Sequence, residues 1–227
     1  MSRKLLAEFL GSLLLAALVI GSGIAAQNLT DDTGLRLLEN AAATATGLYA
    51  LILVFGPVSG AHFNPVVTAV AAAFGGLSWR EAAAYVPVQV AGCVSGAVLA
   101  NVMFDLAPVS ISTTDRATLP HGVSEVVATL GLVLVIFALV RSGRVDHAPA
   151  AVGAYIGAAY WFTSSTSFAN PAITIGRVFS DTFAGIAPAS VLAFILAQFV
   201  GAALAVVLLR VLYPATTPAA ARPLQRR

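Results

Sequence analysis

Long apolar runs, broken by short polar segments, set the plan of this chain. They extend from Leu5 to Ala26, Asn40 to Val58, Ala82 to Phe104, Val123 to Val140, Ala148 to Phe162 and Ala189 to Leu212. A bilayer-crossing helix needs about 20 mostly apolar residues, so the pattern predicts six spans. Two shorter apolar stretches, Val66 to Phe74 and Ala172 to Phe179, cannot cross, and each follows an Asn-Pro pair. They are expected to be half-helices that enter the membrane and stop inside it. Non-helical backbone at that depth is tolerated only inside protein or along a watery cavity. Two such segments therefore point to a pore or a substrate site. The first run follows Ser2-Arg3-Lys4 as a signal peptide's would, but exceeds a signal's usual apolar region of about 7–15 residues. It reads as the first span.

The chain also repeats. Glu8, Asn64-Pro65 and Gln89-x-x-Gly92 recur as Glu125, Asn170-Pro171 and Gln198-x-x-Gly201. Each half holds an odd number of spans, so the halves face opposite ways. Inverted repeats with broken helices place a site near the midplane, between the halves. The expected organisation is one all-α membrane domain over 1–227. Its first repeat covers 1–110, a polar link 111–120, its second repeat 121–214 and a cytoplasmic tail 215–227.

Composition narrows the function class. Of the 227 residues 59% are hydrophobic and only 10% charged, with a mean hydropathy of +0.90. Soluble domains carry about 25% charged residues, which excludes a soluble enzyme. The net charge of +2 comes with no basic run suited to nucleic acid. The single Cys93 has no metal-ligand spacing, and no cofactor is expected. With the N-terminus inside, nine basic residues face the cytoplasm and three, Arg36, Arg116 and Arg177, face out. That bias predicts a multi-pass protein of the inner (plasma) membrane with both termini cytoplasmic.

The Asn-Pro boxes carry the chemistry. Asn suits the helix N-cap and proline the first helical position. A lone pair would be an ordinary cap. Two pairs, Asn64-Pro65-Val66 and Asn170-Pro171-Ala172, in matching places of opposed halves, predict a constriction. Each half-helix aims a positive dipole end at the centre, where the Asn amides bond a passing oxygen and cations are repelled. Glu8 and Glu125, within apolar runs, are expected to brace the re-entrant loops by accepting their N–H groups. Gln89 and Gln198, with small residues at four-residue spacing, read as helix-packing scaffold.

With SGAHFNP before the first half-helix and Asn-Pro-Ala before the second, the sequence resembles the aquaporin (major intrinsic protein) family over nearly its whole length. Val66 replaces the usual alanine of the first box. The resemblance implies six spans, two half-helices meeting at mid-membrane, one pore per subunit and a homotetramer. It implies the same bracing role for the two glutamates. It also implies an arginine directly after the second box, as part of a narrow outer filter. Here that position is Ile173. Counting without gaps puts Thr44, Ala158 and Ser167 at the other filter positions; aligning the loop with the family's shifts the last two to Gly157 and Thr166. Either set predicts a wide filter with neither fixed charge nor aromatic wall.

Arg177 has two readings, an outer-vestibule charge one turn beyond Ile173 or a loop arginine paired with Asp181; the second is the expectation. His62 is placed at the cytoplasmic pore mouth, either as a pH-sensing group or as a loop histidine held by backbone bonds, again with the second expected. The predicted function is a passive channel for water and larger neutral solutes such as glycerol or arsenite, since family members without the filter arginine include channels associated with arsenic resistance. The rival is a secondary transporter coupled to an ion gradient. An enzyme is not expected, because no nucleophile stands beside a base within the spans.

Overall fold

The computed structural model describes residues 1–214; the expected tail, 215–227, lies outside them. Helices account for the architecture, and the described residues contain no strand. Three long helices and one short one form each half: α1 Ser2–Leu29, α2 Thr33–Ser59, α3 Pro65–Ala73 and α4 Trp79–Met103, then α5 Leu119–Arg141, α6 Ala148–Phe162, α7 Pro171–Gly176 and α8 Pro188–Leu212. Five of the long helices are long and apolar enough to cross a membrane. The sixth, α6, has 15 residues and is extended at its start by a 3-10 turn, Val145–His147.

Local chemistry sets the ends. Asp32 accepts the Leu35 N–H at 2.8 Å and starts α2 seven residues before the apolar run. A capping box, Ser78 with Glu81, starts α4. Thr118 caps α5, with Pro120 in its first turn. Pro120 therefore belongs to the helix rather than to the link.

The packing repeats as the sequence does. Helix α1 packs on α4 as α5 packs on α8, α2 on α1 as α6 on α5, and α2 meets α6 where the halves join. Close approach at these crossings requires glycine. A Cβ at Gly92 would lie 2.5 Å from the Phe9 carbonyl oxygen and 2.8 Å from the Ser12 Cβ. At Gly201 it would crowd the α5 backbone, including the Leu130 nitrogen at 3.1 Å. Cys93 is buried on this packed helix, its thiol against the Ser12 carbonyl, and does not line the central cavity. The molecule is inside out by soluble standards. Glu8, Gln89, Glu125 and Gln198 are fully buried, while Leu6, Leu192, Leu196 and Val211 are exposed. That is the distribution a hydrocarbon solvent selects.

The link between the halves lies across the turn after α7 and the start of α8. Ser112 donates to the Val178 carbonyl at 2.8 Å, Thr114 accepts from the Ala187 N–H at 2.7 Å, and Arg116 donates from its backbone to the Ser190 hydroxyl. Thr113 donates to Asp181 through both its N–H and its hydroxyl. The Ala117 N–H and the Ser190 hydroxyl hold the Asp115 carboxyl below the usual carboxylate range.

Candidate functional site

Both half-helices begin at their Asn-Pro boxes. Asn64 caps α3 by accepting the Val66 N–H at 3.0 Å, and Asn170 caps α7 by accepting from Ala172 at 2.9 Å and Ile173 at 3.3 Å. Each side-chain oxygen is thus committed to its own helix. Each Nδ2 donates across to the other half: Asn64 to the Ala169 carbonyl at 2.7 Å, Asn170 to the Phe63 carbonyl at 2.8 Å. An amide nitrogen carries two hydrogens, so one on each Asn is left for the space between them.

The loops that deliver these boxes are bent through backbone conformations that side chains disfavour. Ala61 and Phe63 before the first box, and Thr166, Ser167 and Ala169 before the second, all have positive φ, between 46° and 62°. Such strain persists only where surroundings over-determine it. The surroundings are two buried carboxylates. Glu8 accepts from the Ser59 hydroxyl (2.6 Å), the N–H groups of His62 (3.0 Å) and Phe63 (2.8 Å), and Gln89 Nε2 (2.8 Å). Glu125 accepts from the Ser165 hydroxyl (2.7 Å), the N–H groups of Phe168 and Ala169 (2.9 Å each), and Gln198 Nε2 (2.6 Å). Each glutamine also donates to a half-helix threonine, Gln89 to Thr68 and Gln198 to Thr174. Neither carboxylate lines the cavity between the halves.

That cavity has a volume of about 430 Å³ and takes its walls from both repeats. Asn64, Asn170 and Ile173 line its middle. Phe74, Phe137 and Arg141 line the end beside the α5–α6 turn, and Thr44, Tyr160, Ser167, Phe168 and Arg177 line the other. His62 lines it on the α3 side, its Nδ1 3.1 Å from the Thr68 hydroxyl and its ring against Tyr85.

The sequence model of the major intrinsic protein family matches residues 1–169. The chain belongs to that family. It is 47% identical over 218 residues to an aquaglyceroporin, AqpS, of Rhizobium meliloti, covering 96% of this chain and 93% of the relative. It is 31% identical to a glycerol uptake facilitator protein of Streptococcus pneumoniae over 61% of this chain and 65% of that one. The aquaglyceroporin structure from Plasmodium falciparum superposes with a TM-score of 0.71 over 92% of this chain and 95% of its own, at 19% identity, and so shows the shared fold. Membership makes this protein a membrane channel and not an enzyme.

At the end of the cavity lined by Thr44, Tyr160 and Arg177 the structure differs from the sequence reading. Gly157 and Ala158 do not line the cavity. The α6 face that does is Val152, Ile156 and Tyr160. Gly157 packs on α2, where a Cβ would lie 2.9 Å from the Ala45 Cβ, and Ala158 is exposed on the outside. Of the two loop candidates Ser167 lines the cavity and Thr166 does not. Counting back from Asn170 without gaps reaches Ser167, which lines the cavity, and Ala158, which does not, because the loop's left-handed residues make it turn rather than run straight.

An aromatic wall is also present. Tyr160 and Phe168 line the cavity, and the Tyr160 hydroxyl lies 3.2 Å from the Thr44 hydroxyl. Tyr160 gave a weak signal in the sequence, since it sits beside Trp161 and Phe162 at a helix end, and Phe168 lies alone in the loop before the second box. Arg177 does not pair with Asp181, whose carboxylate is taken by Thr113. It is buried, its guanidinium carbon 3.4 Å from the centre of the Phe168 ring and its Nε donating to the Ala184 carbonyl.

Proposed function

We propose that this channel passes water and small uncharged hydroxylated solutes, glycerol among them, down their gradients. The observation carrying this reading is the cavity itself. It is shared by both repeats, mostly apolar, and interrupted midway by two Asn amides that each keep one free hydrogen. A solute crossing it sheds water and needs a few fixed partners, which the amides and the outer hydroxyls of Thr44, Tyr160 and Ser167 supply. The two half-helix dipoles add a barrier to cations. The aquaglyceroporin and glycerol-facilitator relatives support a solute larger than water. Ile173 directly after the second box supports the same, because it leaves that position short and uncharged. Neutral arsenite, As(OH)3, is a polyol-like solute of the same class.

The working unit we propose is a homotetramer in the inner membrane with both termini cytoplasmic, each subunit carrying its own pore. The exposed leucines of α1 and α8 supply the apolar outer surface, and the cytoplasmic excess of Lys and Arg supports the orientation. Ion-coupled transport is disfavoured: Glu8 and Glu125 each hold four hydrogen bonds and stand off the cavity. Stopped-flow swelling of proteoliposomes in water, glycerol, urea and arsenite gradients tests the proposal. Flux should rise linearly with gradient; saturation, or dependence on a proton or sodium gradient, would instead favour a transporter.

A further inference from the structure

The cavity's outer end holds a charge that the second box does not provide. The half-helix α7 is only six residues long, Pro171–Gly176, and passes into a 3-10 turn, Arg177–Phe179. Four residues separate Ile173 from Arg177, so the two side chains leave one face of the chain about a turn apart. Both line the cavity.

Arg177 is 2% exposed, and three contacts fix it. Its Nε donates to the Ala184 carbonyl. Its guanidinium carbon lies over the Phe168 ring, 3.4 Å from the ring centre. Phe168 in turn is wedged edge-on against Phe194, centroids 5.0 Å apart, so the seat is rigid. Neither terminal NH2 group of Arg177 has a protein acceptor among the described residues, and no carboxylate pairs with it. Glu125, beside the same loop, is committed to its four loop and helix donors.

A buried guanidinium that keeps two unpaired NH2 groups beside a cavity is costly unless something in the cavity accepts from them. A second unpartnered group stands at the same end. Ser167 lines the cavity, and its buried hydroxyl bonds to nothing in the protein. Tyr160 and Thr44 complete the ring, their hydroxyls 3.2 Å apart.

We propose that Arg177 is the specificity-determining residue of the outer constriction. Seated on Phe168, it presents its NH2 pair to the hydroxyl oxygens of an uncharged polyol while Ser167 bonds the same solute, and its fixed charge turns cations away. The inference rests on the channel reading. It moves the deciding group from the position after the second box to one turn beyond, where a guanidinium sits over an aromatic ring. A ring face attracts a guanidinium, and the terminal NH2 groups, which bond no protein atom among the described residues, are left for the solute.

The test uses the full chain in proteoliposomes and a matched pair of probes, neutral urea and its cationic analogue guanidinium, with water and glycerol alongside. Arg177→Met keeps side-chain length and removes charge and donors. It should raise guanidinium entry and lower the glycerol-to-water ratio, each by about tenfold, the order set by one hydrogen bond from a charged donor. Arg177→Lys should hold guanidinium out as well as the native chain does, yet still lower the glycerol ratio, because an ammonium has no planar fork. Phe168→Leu leaves the arginine in place and removes its seat, and should lower the glycerol ratio too. It decides the matter should Arg177→Met fail to reach the membrane. Unchanged ratios and an unchanged cation barrier in these variants, with a native channel that passes glycerol, would overturn the role of Arg177. A native channel that passes no solute would overturn the channel reading, and this inference with it.

Discussion

Asn64 reaches across the molecule to Ala169, donating to its carbonyl at 2.7 Å, and Asn170 returns the bond to the carbonyl of Phe63 at 2.8 Å. The two repeats are thus stitched at the residue before each box. Each asparagine does three things at once: its oxygen caps a half-helix, one N–H ties the opposite loop, and the other faces the cavity. An aspartate can do only the first.

Asn170→Asp should therefore keep the cap, since a carboxylate still accepts from Ala172 and Ile173 and suits a helix N-terminus. It should lose the bond to Phe63 and put a negative charge at the constriction. Water flux should fall and cation leak should rise. Electrical recording of the variant in planar bilayers checks this; a channel that stays cation-tight would mean that the amide does not contribute to the barrier.

Glu8→Gln and Glu125→Gln should each weaken the fold by about 1.5–3 kcal/mol, the worth of a hydrogen bond to a charged group. All four bonds at each carboxylate are accepted ones, and a glutamine NH2 turns one site from acceptor to donor. Thermal melting in detergent should show the loss, while the flux that remains keeps the native pH dependence. Loss of a proton-driven uptake from a stable variant would instead make these carboxylates carriers.

Ile173→Arg should cut glycerol and arsenite flux far more than water flux. Residue 173 sits on the first turn of α7 and lines the cavity, so a longer side chain there narrows it. Arg177 stands a turn away and would repel the newcomer, so the double change Ile173→Arg with Arg177→Ala belongs in the same experiment. Equal proportional losses of water and solute in both variants would remove size selection from this position.

Gly92→Ala and Gly201→Ala should each lower stability by about 1–3 kcal/mol, the usual cost of forcing an extra carbon into a packed interface. At both sites the new Cβ meets backbone of the facing helix, which cannot swing aside. Melting curves should fall for both; native stability in either would show that α1 and α5 shift easily.

Much of this was legible in the residues. Six apolar runs, two Asn-Pro half-helices and an internal repeat were enough for an inverted channel fold, because a bilayer leaves so few ways to satisfy a backbone. The braces were legible too, since a carboxylate in an apolar run needs partners and only the loops had donors to spare.

What the sequence alone could not determine is the cavity end lined by Tyr160, Phe168 and Arg177. Ala158 from the ungapped count, and Gly157 and Thr166 from the family's loop alignment, lie off the cavity, while Tyr160, Phe168 and Arg177 line it through tertiary structure. Counting assumes a straight loop. The segment from Thr163 to Ala169 instead turns through three left-handed residues, held there by Glu125 from another helix forty residues earlier. The same applies to Arg177: an aspartate four residues on is its natural local partner, but the link from the first repeat takes Asp181 first, and the arginine turns inward to Phe168. Periodicity is a property of one segment and can be read from it; which side chain reaches the cavity depends on contacts between segments far apart in the chain.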